Sequence, residues 1–452
     1  ITSMLFYCLI VVVLYFFDQI SLISMSITLV FSLFVEVVSH SYIFKKKELI
    51  MHKIGLLFYG ALKAPTGAST VLRNIALGFD TVNEFDLKIY ALDANGTFIK
   101  SENKLSSKFR LKEYLKKTGH KVLKKGSKYS LLLTKIYVWM QYHRNVKFVI
   151  RKYKHKILDV DILFFHDILT PYHLRKNDKE LWNRKKKTIV LHSNGEVFKM
   201  LFSYFPKLKE NKKTSFYYEN QIAISVLSDV DKIILLSDFA KDNFLKVYPQ
   251  FGYKVSVVPN GIKSENEQIS TIRKIFTITT VGTVCERKGH DLLIEALSLM
   301  TQTQRKKFIV NIIGDGSIVK DLKNTCLKEN IENIFFLGTK KNVKKYLLES
   351  DCFLLASRDE GLPMAIIEAM SLGLPIISAS VGGVPDLVID NYNGILIKPN
   401  NSVLLKEAII KMVNETSIEK IRLGQNSKVL FTQKYTQEKM IDAYKSIFDN
   451  LI

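Results

Sequence analysis

Two glutamates with seven residues between them, Glu360 and Glu368, stand in the stretch Ser357-Arg-Asp-Glu-Gly-Leu-Pro-Met-Ala-Ile-Ile-Glu-Ala-Met-Ser-Leu-Gly-Leu-Pro375. Cys352–Ala356 ahead of it reads as a buried strand, and Pro363 suits the first turn of a helix. Glu360 then belongs to the loop at the strand's carboxyl end, and Glu368 lies about two turns further on, inside the helix. Open α/β sheets bind ligands at that edge, where helix N-termini favour anions. On spacing alone a plainer account stands beside this one, with Glu360 capping the helix and Glu368 on a solvated face.

A second element, Gly282-Thr-Val-Cys-Glu-Arg-Lys-Gly289, follows one strand and precedes the helical pattern His290–Met300. Arg287 and Lys288 would hang at that helix's N-terminus, where they could grip a diphosphate or remain solvated surface cations. Each charge-assisted hydrogen bond to such a ligand is worth about 1.5–3 kcal/mol. Gly382-Gly383, before Val384-Pro-Asp386, would let the backbone approach a ligand where a Cβ collides. Gly314-Asp-Gly316 reads as a tight turn.

Positioning these residues falls to a regular alternation of strands and helices that begins at Met51. Strands read at 52–59, 161–165, 188–191, 232–236 and 255–258, then at 276–281, 308–313, 334–337, 352–355 and 376–378. A helical pattern through Val71, Leu72, Ile75, Ala76 and Phe79 follows the loop Gly60–Gly67. Alternation at this spacing predicts an α/β chain with two parallel-sheet, doubly wound domains. The join falls after Val258-Pro-Asn-Gly-Ile262, where turn residues end a strand and a polar stretch follows. Asp159/Asp161 and Asp229/Asp231 could suggest a metal, but both pairs directly precede strands and read as structural.

Composition narrows the function classes. With 47% hydrophobic and 24% charged residues in 452, the chain is globular rather than disordered, collagen-like or coiled-coil. Four scattered cysteines indicate neither a disulfide framework nor a zinc site. The formal net charge of +23 points to an anionic partner. Much of it sits between Lys100 and Lys156, where eighteen Lys or Arg face two acids and alternate with Tyr114, Tyr129, Tyr137, Trp139, Tyr142 and Phe148. That interleaving suits an anionic membrane surface, a nucleic acid, or simply a Lys-rich solvated face. No RNA-recognition motif accompanies it, and no nucleic acid partner is expected.

The first fifty residues form a hydrophobic, helical extension. Met4–Phe17 is short for a membrane span and Ile20–Val38 is borderline against the roughly 20 apolar residues required. Lys45-Lys46-Lys47 would mark the following side as cytoplasmic if the segment inserts. Lys46-Lys-Glu-Leu-Ile50 can also be encoded AAA AAG GAG TTA ATT, which holds a bacterial ribosome-binding sequence just ahead of the Met51 codon. Residues 1–50 are therefore expected to be upstream sequence read in frame, the working enzyme being 51–452, with a membrane anchor as the competing account.

Taken in order, these elements resemble the family 4 retaining glycosyltransferases, enzymes of GT-B type whose two Rossmann-like domains face each other across a cleft. The resemblance runs from about Met51 to the C-terminus and is densest from Thr280 to Pro399. Its most specific part is the frame S-x-x-E-G-x-P-x-x-x-x-E-A-M-x-x-G-x-P around Glu360, Gly361 and Glu368. It implies an acceptor domain at 51–262, a nucleotide-sugar donor domain at 263–435, and a C-terminal helix at 436–452 packing back on the first domain.

The same resemblance implies that Glu360 lies by the donor sugar, that Glu368 holds the ribose hydroxyls, and that Arg287 and Lys288 contact the donor diphosphate. Gly382 and Gly383 also fall to donor binding. Many members carry arginine straight after the glycine that opens the loop of Arg287 and Lys288, here Gly282, where this chain has Thr283; Arg287 is the candidate substitute. Pro65-Thr-Gly-Ala-Ser-Thr-Val-Leu72 is similar to the family's glycine-bearing loop over the phosphates, which assigns Gly67 to donor binding. Asp161-Ile-Leu-Phe-Phe-His166 looks like the family's strand ending in a catalytic histidine, and His192 is a second candidate. For either, a plain hydrogen-bonded strand-end histidine is the bland alternative.

The implied reaction transfers a sugar from a nucleoside diphosphate donor to an acceptor hydroxyl with retention, needing no metal or other cofactor. A lipid-linked saccharide acceptor, polysaccharide synthesis and peripheral attachment at the cytoplasmic membrane face complete the expectation. A sugar-nucleotide epimerase or hydrolase on the same fold is the runner-up, and a basic nucleic-acid-binding protein is the rival outside enzymes.

Overall fold

The structure is a computed structural model and describes residues 51–96, 126–264 and 275–452, apart from positions 63, 65 and 128. The stretch 1–50, with the extension, anchor and start-site expectations attached to it, lies outside the described residues, as does most of the basic segment before residue 126. Among the described residues no helix is long and apolar enough to cross a membrane.

Lys53–Ile452 form one compact unit containing two sheets. The first holds β1 (His52–Leu57), β2 (Phe85–Ala91), β3 (Ala94–Gly96), β4 (Ile162–Phe165), β5 (Lys186–Leu191), β6 (Lys232–Leu235) and β7 (Val255–Val257). Their spatial order is β3-β2-β1-β4-β5-β6-β7, with β1 through β4, β5, β6 and β7 paired in parallel and β2–β3 antiparallel. The second holds β8 (Phe276–Val281), β9 (Phe308–Ile313), β10 (Ile334–Gly338), β11 (Cys352–Leu355), β12 (Ile376–Ala379) and β13 (Gly394–Ile397). Its order is β10-β9-β8-β11-β12-β13, parallel throughout. The α/β, doubly wound expectation holds for both.

Strand order reverses between β1 and β4 in one sheet and between β8 and β11 in the other, so each sheet opens a crevice at the carboxyl ends of that pair. Of these four, β4 and β11 are unbroken apolar runs, while β1 opens with His52-Lys53 and β8 carries Thr277, Thr279 and Thr280. Three strands escaped the sequence pattern. Two of them, β2 and β3, lie at the edge of their sheet, where charged residues interrupt the apolar run of Phe-Asp-Leu-Lys-Ile-Tyr-Ala. The third, β13, is four residues long at the opposite edge of the second sheet.

Each switch-point pair is fastened at its foot by an aspartate. Asp161 donates its N–H to the Lys53 carbonyl at 2.7 Å and accepts the Lys53 N–H on Oδ2 at 2.8 Å. Asp351 does the same with Thr277, at 2.8 Å each way. Asp231 repeats the exchange with Lys187, joining β6 to β5. Asp159 pairs with Lys53 Nζ, and Asp229 accepts from Arg175 and from the Trp182 indole, so both Asp-x-Asp pairs have structural partners.

The chain crosses between the sheets twice at one place. Ile262 and Thr436 form a parallel bridge, and a Cβ on Gly261 would lie 2.3 Å from the Thr436 carbonyl oxygen. Beyond that crossing, helix Gln437–Asp449 lies against helix Gly67–Phe79, with the Phe448 ring 5.9 Å from both Phe79 and Phe85 and 5.2 Å from Phe164. Gln437 Nε2 donates to the Asn74 carbonyl at 2.6 Å.

Candidate active site

The loop after β8 is shaped by two glycines. Gly282 has φ +150°, a conformation that side chains rarely adopt, and the Lys288 arm passes over it at the 3.6 Å of an ordinary contact to a Cβ there. Gly289, at φ +69°, presses on β11's end; a Cβ would sit 1.8 Å from the Ala356 carbonyl oxygen. Between them a single 3-10 turn, Glu286–Lys288, precedes helix His290–Ser298. Arg358 braces this turn, forking onto Asp291 at 2.8 and 2.6 Å and donating its N–H to the Arg287 carbonyl at 2.8 Å. The Gly314-Asp-Gly316 turn packs against this loop: Cβ atoms on its glycines would meet the carbonyl oxygens of Gly282 and Val284.

Both expected phosphate cations converge on the first glutamate. Lys288 Nζ donates to Glu360 Oε1 at 2.5 Å, and Arg287 Nη1 lies 3.5 Å from Oε2 while donating to the Asp359 carbonyl at 2.7 Å. Ser357 Oγ adds a third bond, to Oε1 at 2.6 Å. Glu360 is 6% exposed and makes no helix cap; the N-cap of helix Met364–Ser371 is Pro363, with no side-chain bond. The two cations are thus neither solvated nor free in the unliganded protein. They compensate a buried carboxylate, and Glu360 raises the already high Arg287 pKa against the opposing effect of burial. A ligand that brings its own negative charge would share them.

Glu368 occupies the helix, half-buried rather than on a solvated face. Burial pushes its carboxyl up to about 7, with the Arg73 guanidinium across the cleft pulling the other way. Arg73 comes from helix Gly67–Phe79 and also donates to the carbonyls of Leu62 and Ala64, which holds the loop after β1. Gly67 opens that helix behind the Thr66 N-cap. A Cβ on Gly67 would meet nothing within 4 Å, so protein packing places no demand for glycine there.

At Gly361, Gly382 and Gly383, and so at the Gly382-Gly383 pair expected to admit a ligand, the protein itself crowds the space a side chain would fill. Gly382, at φ +54°, would drive a Cβ to 1.7 Å from the Glu360 carbonyl oxygen and 2.8 Å from Asn194 Oδ1. On Gly383 it would meet the Gly361 carbonyl oxygen at 2.6 Å, and on Gly361 the His192 carbonyl oxygen at 2.8 Å. Protein backbone, not an approaching ligand, excludes their side chains. Together they clamp the Glu360 loop against the first sheet's edge, where Asn194 Nδ2 also donates to Asp359 Oδ1 at 2.7 Å.

His166 follows β4 and His192 follows β5. Their Nδ1 and Nε2 atoms, respectively, are 3.0 Å apart, so each ring is the other's partner. His166 is 4% exposed, yet its Nε2 has no partner, and neither has the nearby buried Ser193 Oγ. Burial first, then His192, holds His166 well below the usual imidazole range; burial alone brings His192 to about 4. The pair is therefore neutral at physiological pH. Thr283 is exposed at the rim of the donor-side loop. Sequence reasoning missed Arg73, Asn194 and Tyr204, whose side chain bonds Arg287. Each reaches the cleft from a distant part of the chain with no local pattern to mark it. Ser357, by contrast, opens the quoted frame and was there to be read.

Two neutral imidazoles from one sheet and a buried Lys–Glu–Arg cluster from the other meet at the carboxyl ends of both switch-point pairs. Against known proteins, residues 263–430 match the family described as Glycosyl transferases group 1. An uncharacterized glycosyltransferase of Methanocaldococcus jannaschii is 31% identical over 224 residues, which span 49% of this chain and 60% of that protein. The Escherichia coli UDP-Gal:alpha-D-GlcNAc-diphosphoundecaprenol alpha-1,3-galactosyltransferase is 26% identical over 236 residues, again 49% of this chain and 60% of the relative. Both matches thus span about three fifths of the relative's length.

Among solved structures, Anabaena HepE in complex with UDP and glucose superposes with a TM-score of 0.64 at 17% identity, covering 89% of this chain and 100% of that one. A Staphylococcus aureus TarM variant in complex with UDP and saccharide ligands gives 0.63 at 17% identity, covering 88% and 100%. The fold is of the two-sheet GT-B type, and residues 263–430 carry the match to the group 1 glycosyl transferases.

Proposed function

We propose that this chain is a retaining glycosyltransferase that moves a sugar from a nucleoside diphosphate donor to a hydroxyl of a saccharide acceptor, lipid-linked, in polysaccharide or glycolipid synthesis. The observation that carries the reading is the convergence of Arg287 and Lys288 on Glu360 beside the His166–His192 pair. Similar proteins whose names include a UDP-sugar, an undecaprenyl diphosphate acceptor or an O-antigen mannosyl chain support the substrate class.

In this reading the donor diphosphate enters beside Lys288 and Arg287, which turn part of their charge from Glu360 to the phosphate oxygens. Negative charge developing on the leaving diphosphate is met by fixed cations in a site from which water is largely excluded, where such stabilisation is strongest. Glu368, once ionised, accepts the ribose hydroxyls. Gly67 leaves space over the phosphates at the N-terminus of its helix. The acceptor hydroxyl attacks from the face the diphosphate leaves, and the leaving phosphate oxygen takes its proton. The neutral His166–His192 pair orients the sugar through Nε2 of His166, which has no partner in the protein. The described lysines of the basic segment add attraction to an anionic leaflet, about 1 kcal/mol each near the surface, holding the enzyme at the cytoplasmic membrane face.

The test is a thermal-shift panel of nucleotide sugars on the whole protein, followed by turnover of the best stabiliser with and without a saccharide acceptor. A ligand that binds only the folded state raises its melting point. Transfer to the acceptor with the anomeric configuration kept, read by proton NMR, is the expected result. Turnover without acceptor would assign the site to an epimerase or hydrolase instead.

A further inference from the structure

Away from the Glu360 cluster, the helices on the outer face of the first sheet enclose a cavity of about 490 Å³. Its floor is a polar chain in which His143 Nδ1 lies 2.8 Å from His173 Nε2, and His143 Nε2 lies 3.1 Å from the Tyr218 hydroxyl. Tyr172 and Tyr217 join hydroxyls beside it at 2.9 Å. Its rim carries Lys135, Lys147, Lys176 and Lys213, all exposed, together with Trp139, which is 49% exposed. Among the described residues no carboxylate lines the cavity, and none of the four lysines pairs with one.

Two independent features mark this as a built site. The backbone on two of its walls is π-helical, at Trp139–His143 and at Tyr217–Ile224. Such segments are rare and concentrate where a helix must re-aim side chains for a function. Here the first re-aims Trp139 and His143 into the cavity while Tyr142 turns the other way, its ring 5.8 Å from Tyr59 at the loop after β1. Second, four like charges round one opening repel one another and favour the free protein only weakly; a polyanion removes that cost. Burial, chiefly, holds both histidines near 4, so the floor offers neutral imidazole and phenol groups for hydroxyls while the rim supplies the positive charge. A volume of this size fits a ligand of one or two sugar rings.

We infer that this cavity binds a saccharide bearing a phosphate or diphosphate, with the phosphate on the lysine rim and the sugar over the Trp139 and tyrosine faces. Assigning that molecule to the acceptor side rests on the transferase reading above; its binding here does not. The shared chemistry is a glycosyl phosphate, free in solution or the head of a lipid-linked saccharide.

The chain's two tryptophans make the test direct, because Trp182 is 2% exposed in the core and Trp139 alone stands at the cavity. The full-length protein is titrated, in separate arms, with glucose 1-phosphate, with N-acetylglucosaminyl diphosphate carrying a farnesyl chain, with glucose, and with anionic lipid vesicles, while tryptophan fluorescence and heat are read. UDP is titrated by calorimetry alongside. Saturable quenching is expected from at least one phosphorylated probe, and which one responds identifies the source. Glucose should do nothing. Trp139→Phe should abolish the optical signal while heat remains, and Lys147→Ala with Lys176→Ala should weaken binding at least about tenfold without altering UDP affinity. Failure of both phosphorylated probes, equal binding of glucose, binding indifferent to the lysines, or a lysine-dependent response to vesicles alone overturns the inference. Phosphosugar binding by a protein that no nucleotide sugar of the panel stabilises would sink the transferase reading and leave the cavity's assignment standing; the converse would do the opposite.

Discussion

Replacing Glu368 with Gln should stabilise the unliganded protein and weaken its hold on the donor, and the first effect should depend on pH in a set way. Burial raises the folded-state pKa from 4.5 to about 7. Between those values the folded chain binds a proton that the unfolded chain has lost, so stability falls as pH rises through that window and levels off above it. The shift corresponds to at most about 3 kcal/mol at 1.36 kcal/mol per unit. The Arg73 charge is already contained in that shift, and partial exposure reduces the expected cost of ionisation to about 1–3 kcal/mol. Glutamine keeps the shape without the charge, and Arg73 retains its bonds to Leu62 and Ala64.

Urea melts of both proteins from pH 4 to pH 8 provide the assay. The curves should coincide near pH 4 and separate steadily to pH 7, with the variant more stable, and the gap should then hold. Taking the difference cancels every other titrating group that the substitution leaves alone. The donor supplies an internal control. If the ribose diol donates to the ionised carboxylate, binding should release protons near pH 6, seen as a dependence of calorimetric heat on buffer ionisation enthalpy, and the variant should release none. Parallel stability curves would refute the argument that Glu368 is forced to ionise in a poorly solvated place.

Lys288→Ala removes the nearest partner of a buried carboxylate, a change that costs about 3–5 kcal/mol; Lys288→Met with Glu360→Gln should recover most of the melting temperature and none of the transfer rate, and recovery of both would empty the cluster of a role. Arg287→Ala should cost less activity than Lys288→Ala, because its contact with Glu360 is the longer one; the reverse order in initial rates would make Arg287 the main phosphate contact. Gly382→Ala should lower the melting point strongly through its clash with the Glu360 carbonyl, whereas Gly67→Ala should leave it within about a degree and act on donor affinity alone; equal effects in thermal melts would end the distinction. The His192 imidazole should keep its neutral NMR chemical shift from pH 8 down to about pH 5, so a titration near pH 6.5 would contradict its burial.

Five of the six strands of the second sheet were legible because each is a mostly apolar, β-branched or aromatic run between turn residues, and Phe276–Val281, Phe308–Ile313 and Cys352–Leu355 have the limits their sequence suggests. Phe85–Ala91, second from the edge of the first sheet, was not, since Asp86 and Lys88 break its apolar run. At the site, Glu360 and Glu368 could be found from spacing because one loop and one helix carry both. What spacing could not convey is that Lys288 and Glu360 neutralise one another, which depends on two loops from different strands meeting. At Gly382 and Gly383 a missing Cβ reports crowding, and sequence does not say whether protein or ligand supplies it; here protein backbone does. Arg73 and Tyr204 carry no local signal at all.

The aspartates at the feet of β4, β6 and β11 answer a difficulty peculiar to buried parallel strands. Where one face of a strand meets water, alternation of polar and apolar residues fixes how it aligns with its neighbour, since a slip of one position would turn the oily face outward. Ile-Leu-Phe-Phe and Cys-Phe-Leu-Leu have no such alternation, and sliding either along its neighbour would exchange one apolar side chain for another at little cost. A carboxylate that must find one particular backbone N–H, up to 108 residues away in the chain, supplies the missing alignment information in a single polar contact. Asp161→Asn and Asp351→Asn would therefore threaten uniqueness of alignment before they threatened stability. At the other end of the same strands, the placing of His166 against His192, whose carbonyl backs the Glu360 loop at Gly361, depends on that alignment being right.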